Sequence, residues 1–294
     1  MLHSLSVVID LSKKEDDRKV GPIYRVFSQD LYSTGLHGEE IGIRQDEVWR
    51  SKSRQFSKDA DIIGKIVETR RSNEKEKLPS TKKTGFIILR QSLWKQVDEQ
   101  DRRLVAKLFS NSGGWIASLE EMVAEEYASS FASDQPLVAF TVLTKESEFV
   151  TWVRQLRRGG LSTENFVFYI IGPNGSFDTY RIEGSRGTLG DDFKVIRLKK
   201  NETVAEVDSK FGDFGGEFTV KVKDPVLAEN EWFCRILQCF SIMIAYRGDI
   251  RDKINKGFHL WKDGKRIPSQ HRYEVSLLAN PRKLTLKTDE LEEV

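Results

Sequence analysis

FTVKVKDPVLAENEWFCRILQCFSIMIAY, residues 218 to 246, is the stretch on which the reading of the fold turns. Phe218, Val220 and Val222 alternate with Thr219, Lys221 and Lys223, the two-residue period of a strand with one buried face. Asp224-Pro225 ends that strand, because proline has no N–H to give to a ladder. Asn230 is suited to cap a helix, with Glu231 in the favourable first turn and Gly248 near the C-terminal end. Twelve of the fifteen residues from Trp232 to Tyr246 are apolar, and the exceptions Arg235, Gln238 and Ser241 recur every third position as one narrow polar stripe. A helix apolar on almost every side has to be surrounded, whereas a surface helix shows a broad polar face. Fifteen residues rise roughly 22 Å, about the height of a small β-barrel. Enclosure by a barrel, burial between layers and an oligomer interface all meet the requirement. Enclosure obliges Arg235 to find a carboxylate or backbone carbonyls.

Upstream of this stretch the period is also β. Phe166 to Ile171 and Phe177 to Ile182 flank Gly172-Pro173-Asn174-Gly175, whose residue types supply the dihedrals of a tight turn and predict a hairpin. Phe193 to Leu198 and Thr203 to Val207 form a second hairpin about Lys199 to Glu202. Further back, Leu5 to Leu11, Ile23 to Tyr32, Asp61 to Arg70, Gly85 to Arg90 and Leu137 to Leu143 read as strands. Leu93 to Phe109, Ala117 to Phe131 and Glu146 to Arg157 read as helices, the first through a stripe of Leu93, Val97, Leu104, Val105 and Leu108. Downstream, His259 to Trp261, Tyr273 to Leu278 and Leu284 to Leu286 read as short strands of a basic extension.

The predicted fold is α+β: a β-rich, barrel-like C-terminal domain of mostly antiparallel strands around a buried apolar helix, with a mixed α/β N-terminal part. The boundaries fall at a β-rich segment 1–70, a polar linker 71–84 (RSNEKEKLPSTKKT), a mixed part 85–160, a meander plus helix 161–250, and a basic extension with an acidic end 251–294. At 294 residues the chain is long enough for one large or two modest domains. No stretch approaches the roughly 20 apolar residues of a membrane-spanning helix. The opening MLHSLSVVIDLSKKEDD has no basic leader region and no small-residue cleavage site, which predicts residence in the cytosol or nucleus, including the periphery of a membrane. Cys234 and Cys239 diverge by about 140° on a helical wheel and are expected to be buried thiols, not a disulfide.

The succession FGDFGGEFTVKVKDP (Phe211 to Pro225) and WFCRILQCFSIMIAY, following two hairpins, resembles the end of the tubby, phospholipid-scramblase and LURP-one barrels over residues 191–246. That resemblance implies a barrel closed around a hydrophobic helix near the C-terminus. About 48 residues follow the helix here, and the predicted helices between Leu93 and Arg157 have no counterpart in such a barrel.

Charge is unevenly distributed although its sum is only +2. Residues 50–90 carry 12 basic against 5 acidic side chains, residues 251–287 carry 10 against 3, and residues 91–150 carry 5 against 10. Basic blocks interleaved with Phe258, Trp261 and Tyr273 suit an acidic phospholipid surface or another polyanion, nucleic acid included. Arg197, Lys199, Lys221, Lys223, Lys262, Lys265 and Arg266 are the expected anion contacts. The leading expectation is a non-enzymatic binding or scaffold protein for an acidic membrane surface. The alternatives are a nucleic-acid-binding protein, including a Mg²⁺-dependent nuclease built on Asp178, Asp192 and Lys194, and a self-assembling structural protein that forms homo-oligomers. His3, His37, His259 and His271 lack the spacing of a zinc site, and Gly212, Gly215 and Gly216 read as a β connection, not a phosphate loop. No metal and no cofactor is expected.

Overall fold

A computed structural model describes residues 23–31, 60–70, 80–157, 163–172, 175–185, 192–210, 216–265 and Glu274. Twelve antiparallel strands close into a barrel: β1 (Arg25–Leu31), β2 (Ala60–Arg70), β3 (Ser80–Arg90), β4 (Val105–Ser110), β5 (Trp115–Glu121), β6 (Ala139–Thr144), β7 (Thr151–Gln155), β8 (Asn165–Ile171), β9 (Phe177–Gly184), β10 (Phe193–Arg197), β11 (Glu202–Lys210) and β12 (Glu217–Val222). Each strand pairs with its neighbours in sequence, and the ring closes where β1 pairs with β12, Arg25 opposite Val222 and Asp30 opposite Glu217. Among the described residues four helices accompany it: α1 (Gln91–Trp94), α2 (Val123–Ser133), α3 (Pro225–Glu229) and α4 (Glu231–Lys262).

The strands form where alternation marks one face for the core. β1 buries Arg25, Phe27, Gln29 and Leu31 in turn, and β12 buries Phe218, Val220 and Val222. Both predicted hairpins are present, with Ile171 opposite Phe177 and Val195 opposite Ala205. Gly175 takes φ +70° in the first of their turns, a conformation that glycine adopts without a Cβ penalty. Asp224 caps α3 through Val226 and Leu227 N–H groups, each at 2.9 Å, and Asn230 Oδ1 caps α4 by accepting from Phe233 N–H at 3.0 Å.

Each of the three predicted helices contains a strand, and the one over Ala117 to Phe131 is helical from Val123 on. Leu93 to Phe109 overlaps only the end of the helix Gln91–Trp94 and a 3₁₀ turn at Glu99–Asp101, and β4 begins at Val105. Leu104, Ala106 and Leu108 face the core, but Val105 and Phe109 on the opposite face are buried as well, which erases the alternation and imitates a helical stripe. Ala117 to Phe131 divides between β5 and α2. Glu146 to Arg157 contains β7, whose inward side chains Thr151 and Gln155 are polar: Thr151 Oγ1 accepts from Trp232 Nε1 at 2.8 Å, and Gln155 Oε1 from Val138 N–H at 3.1 Å. The boundaries drawn near residues 70 and 160 fall between neighbouring strands of one closed sheet, and the one at 84 falls within β3. Leu5 to Leu11 and most of the linker lie outside the described residues.

The largest correction concerns α4, which runs 32 residues through Gly248 and through His259 to Trp261, read above as a strand. From Phe233 to Ile244 every residue but Arg235 is buried. Phe240 meets the rings of Phe166 and Phe193 at 5.1 Å, and Phe233 meets Tyr180 at 5.1 Å, so one continuous core joins the helix to the inward faces of the strands. Beyond Tyr246 only Ile250, Lys253, Ile254 and Gly257 are buried, a one-sided spacing that packs beneath the barrel against α2 and the 3₁₀ turn. No helix of the described residues is long and apolar enough to cross a membrane.

Candidate functional site

Strand direction sorts the connections into two ends. The upper end, where β12 passes into α3, also carries the tight turns between β4 and β5, β8 and β9, and β10 and β11. The lower end carries α1, α2 and the second half of α4.

At the upper end Arg25 is buried and heavily partnered. It bonds Glu68 Oε1 at 2.9 Å, Glu231 at 2.7 Å and the Ala228 carbonyl at 2.8 Å, with its guanidinium 4.5 Å above the Phe27 ring. Arg235 finds the carboxylate that enclosure demands: Glu231 at 2.9 Å, with Gln238 Oε1 at 2.8 Å. These ions tie β1 and β2 to the start of α4 and leave no charge in that seam without an opposite.

The predicted anion contacts do not form one patch. Arg197 bonds Glu202 at 2.6 Å and Asp224 at 2.7 Å, Lys221 pairs with Asp208, and Lys223 pairs with Glu206 at 2.5 Å, so all three are occupied by acids of the same sheet and its α3 cap. Lys262 and Lys265 lie at the far end of α4, Lys262 4.1 Å from the Phe258 ring centre and Lys265 3.4 Å from Asp263. Arg266 lies outside the described residues. Lys199 is exposed on the β10–β11 turn next to Lys200.

Around that turn lies a feature that sequence reading missed. Of eight large apolar side chains that are substantially exposed among the described residues, five stand at the upper end: Phe149, Tyr169, Phe177, Leu198 and Val226. Val226 is 75% exposed and Phe177 64%, far beyond what core packing requires. Contacts link the elements that carry Tyr169, Phe177, Leu198 and Val226 into an arc. Arg197 to Asp224 links the β10 turn to α3, Leu198 N–H bonds the Thr179 carbonyl at 3.0 Å, and Tyr169 meets Phe177 edge-on at 5.5 Å. A signal was present, since Thr179 and Arg181 share the outward parity of Phe177 while Tyr180 and Ile182 share the buried one.

The lower end holds a buried ionic cluster. Lys253 donates to the Glu121 carboxylate and to the Arg102 carbonyl at 3.0 Å, and Glu121 also accepts from Leu104 N–H. Glu126 Oε1 accepts from Ala139 N–H at 3.1 Å, and its other oxygen lies beside Glu121. Burial, reinforced by the Glu121 charge, holds Glu126 well above the usual carboxylate range. Burial also pushes Glu121 upward, but Lys253 and the surrounding hydrogen bonds outweigh it and hold Glu121 below that range. Glu274 accepts from Ala124 N–H at 2.7 Å, capping α2. Glu121, Glu126, Lys253 and Glu274 are all closed off from solvent, so the cluster clamps α4 to β5 and α2 and offers nothing to a substrate.

The hydrolytic constellation is not assembled. Asp178 lies at the upper start of β9, whereas Asp192 precedes β10 at the lower end, where Ser185 N–H bonds its carbonyl. Some seven residues of strand, roughly 23 Å, separate the two carboxylates. Among the described residues no group of three His, Cys, Asp or Glu side chains is placed to hold a metal ion. His259 lies on α4, and the other three histidines lie outside the described residues. Cys234 and Cys239 are free and buried, and burial pushes the Cys234 thiol up to about 12. The apolar half of α4 is covered within a single chain and does not present itself as an interface between copies. Compared with family models, with curated proteins and with solved structures, the chain matches none.

Proposed function

We propose that the chain is a non-enzymatic binding protein for an acidic membrane surface, as its resemblance to tubby-like barrels implies, and that the apolar half of α4 occupies the interior of the barrel as its rigid filling. The observation that carries the reading is the β10–β11 turn. Lys199 and Lys200 are exposed there; Glu202 lies 2.6 Å from Arg197 and 3.8 Å from Lys200, and Asp224 is engaged by Arg197. Two lysines so placed attract anionic headgroups, and the attraction fades with salt.

Co-sedimentation with phosphatidylserine-containing vesicles at low and moderate salt tests it. Binding that weakens with salt, and that weakens further in Lys199→Gln/Lys200→Gln, is the expected result. No pelleting, or pelleting indifferent to salt, overturns it. Retardation of single- or double-stranded DNA probes without vesicle binding would favour nucleic acid as the polyanion.

A further inference from the structure

We propose that the upper end of the barrel is its membrane-facing end, and that Phe177, Leu198 and Val226 enter the boundary between headgroups and acyl chains. The inference rests on the membrane reading above and adds to it an orientation and a mode of attachment.

The geometry argues for this occupant in three ways. The exposed apolar side chains sit on three different elements, namely the start of β9, the β10–β11 turn and the first turn of α3. A deformable surface accommodates separate tips, whereas a folded partner needs matching hollows. Charge complementarity comes second. Lys199 and Lys200 directly follow Leu198, so an inserted leucine brings two ammonium groups to headgroup depth, where each adds attraction and long stems let the charge stay in water. Third, the tips are held rigidly. Arg197 locks the β10 turn to the α3 cap, and the Leu198 N–H bonds β9, so little ordering remains to be done on insertion. At the lower end the exposed large apolar side chains are Val97, Leu156 and Trp261. Val97 there is 105% exposed, and Trp261, stacked on Phe131 at 4.5 Å, is 47% exposed, so the lower end carries three such side chains against five at the upper end among the described residues.

Site-directed labelling decides the matter on the full chain. Cys234 and Cys239 are fully buried, so a cysteine added at the surface takes an environment-sensitive NBD fluorophore selectively. Leu198→Cys and Val226→Cys place the label at the upper end, and Asp263→Cys places it at the lower. With phosphatidylcholine–phosphatidylserine vesicles, the first two should shift to the blue and be quenched by shallow doxyl-labelled lipid, while the third should not respond. Leu198→Ser with Val226→Ser should weaken partitioning roughly tenfold without changing its salt dependence. Lys199→Gln should weaken it roughly fivefold at low salt only. Vesicle binding with unquenched upper labels, or with quenching at Asp263→Cys alone, overturns the orientation and leaves the membrane reading standing. Absence of vesicle binding by the unlabelled protein overturns both.

Discussion

The two halves of α4 are one continuous helix in two environments. From Phe233 to Ile244 every side chain but Arg235 is buried, and Phe240 meets both Phe166 and Phe193. From Tyr246 to Lys262 only one stripe is buried, its centre is the charged Lys253, and the remaining faces are open. The upper half is fixed by shape and hydrophobic burial, and the lower half by close approach and ion chemistry. Substitutions should therefore fail in different ways along the same helix.

The largest effect is expected from Phe240→Ala. It empties a ring-sized volume that neither Phe166 nor Phe193 can fill, and chemical denaturation should show a loss of about 3–5 kcal/mol. A loss below about 1 kcal/mol would mean that the upper half is not tightly surrounded. Next comes Gly257→Ala. Alanine normally favours a helix over glycine, but a methyl here would overlap the Tyr127 hydroxyl, which is itself bonded to Gln100 at 2.6 Å, so a destabilisation of about 1–3 kcal/mol is expected.

The third test is of pH. Glu126 has a folded pKa above its unfolded value, so its contribution is complete below the unfolded value and is lost as pH rises through the folded one. Glu121 has the opposite shift and loses its contribution as pH falls through its depressed pKa. Thermal melts above about pH 4.5 should therefore fall with rising pH by at most about 1.4 kcal/mol per unit from this group. Glu126→Gln can keep the hydrogen bond from Ala139 N–H without titrating and should flatten that fall. An unchanged slope in the variant would locate the proton elsewhere. The smallest effect has the opposite sign. Gly248 has nothing within 4 Å of where a Cβ would stand, so Gly248→Ala should stabilise by about 0.5–1 kcal/mol, and any destabilisation there would contradict the open face assigned to the lower half.

The same division explains what could be read without coordinates. Clean alternation in β1, β8, β9, β10 and β12 betrayed those strands, and the density of apolar residues from Trp232 to Tyr246 betrayed the upper half of α4. The lower half was lost because its buried stripe includes a lysine and begins just after a glycine, two features that ordinarily argue for a helix end. Packing overrode both. β4, β5 and β7 were lost because burial on two faces, or polar side chains on the inner one, removes the period on which a strand is recognised. Among the site residues, Arg197, Lys221 and Lys223 were correctly placed on strand ends and outward faces. Their acid partners come from neighbouring strands and the α3 cap, so the pairing became visible only once the register was known.

The pairing of Arg25 with Val222 has a consequence for how the molecule is made. The strands are laid down in the order in which they stand around the ring, and the last to be synthesised is the one that must find the first. A ribosome-bound chain that has not yet released β12 therefore carries two raw edges, β1 on one side and β11 on the other, each able to recruit a foreign strand. It also lacks α4, whose phenylalanines complete the core. Contacts this distant in sequence form slowly compared with local ones. Birth of this protein thus includes an interval in which an open, unfilled sheet must be kept from other chains, and that interval ends only when the final strand and the helix behind it emerge.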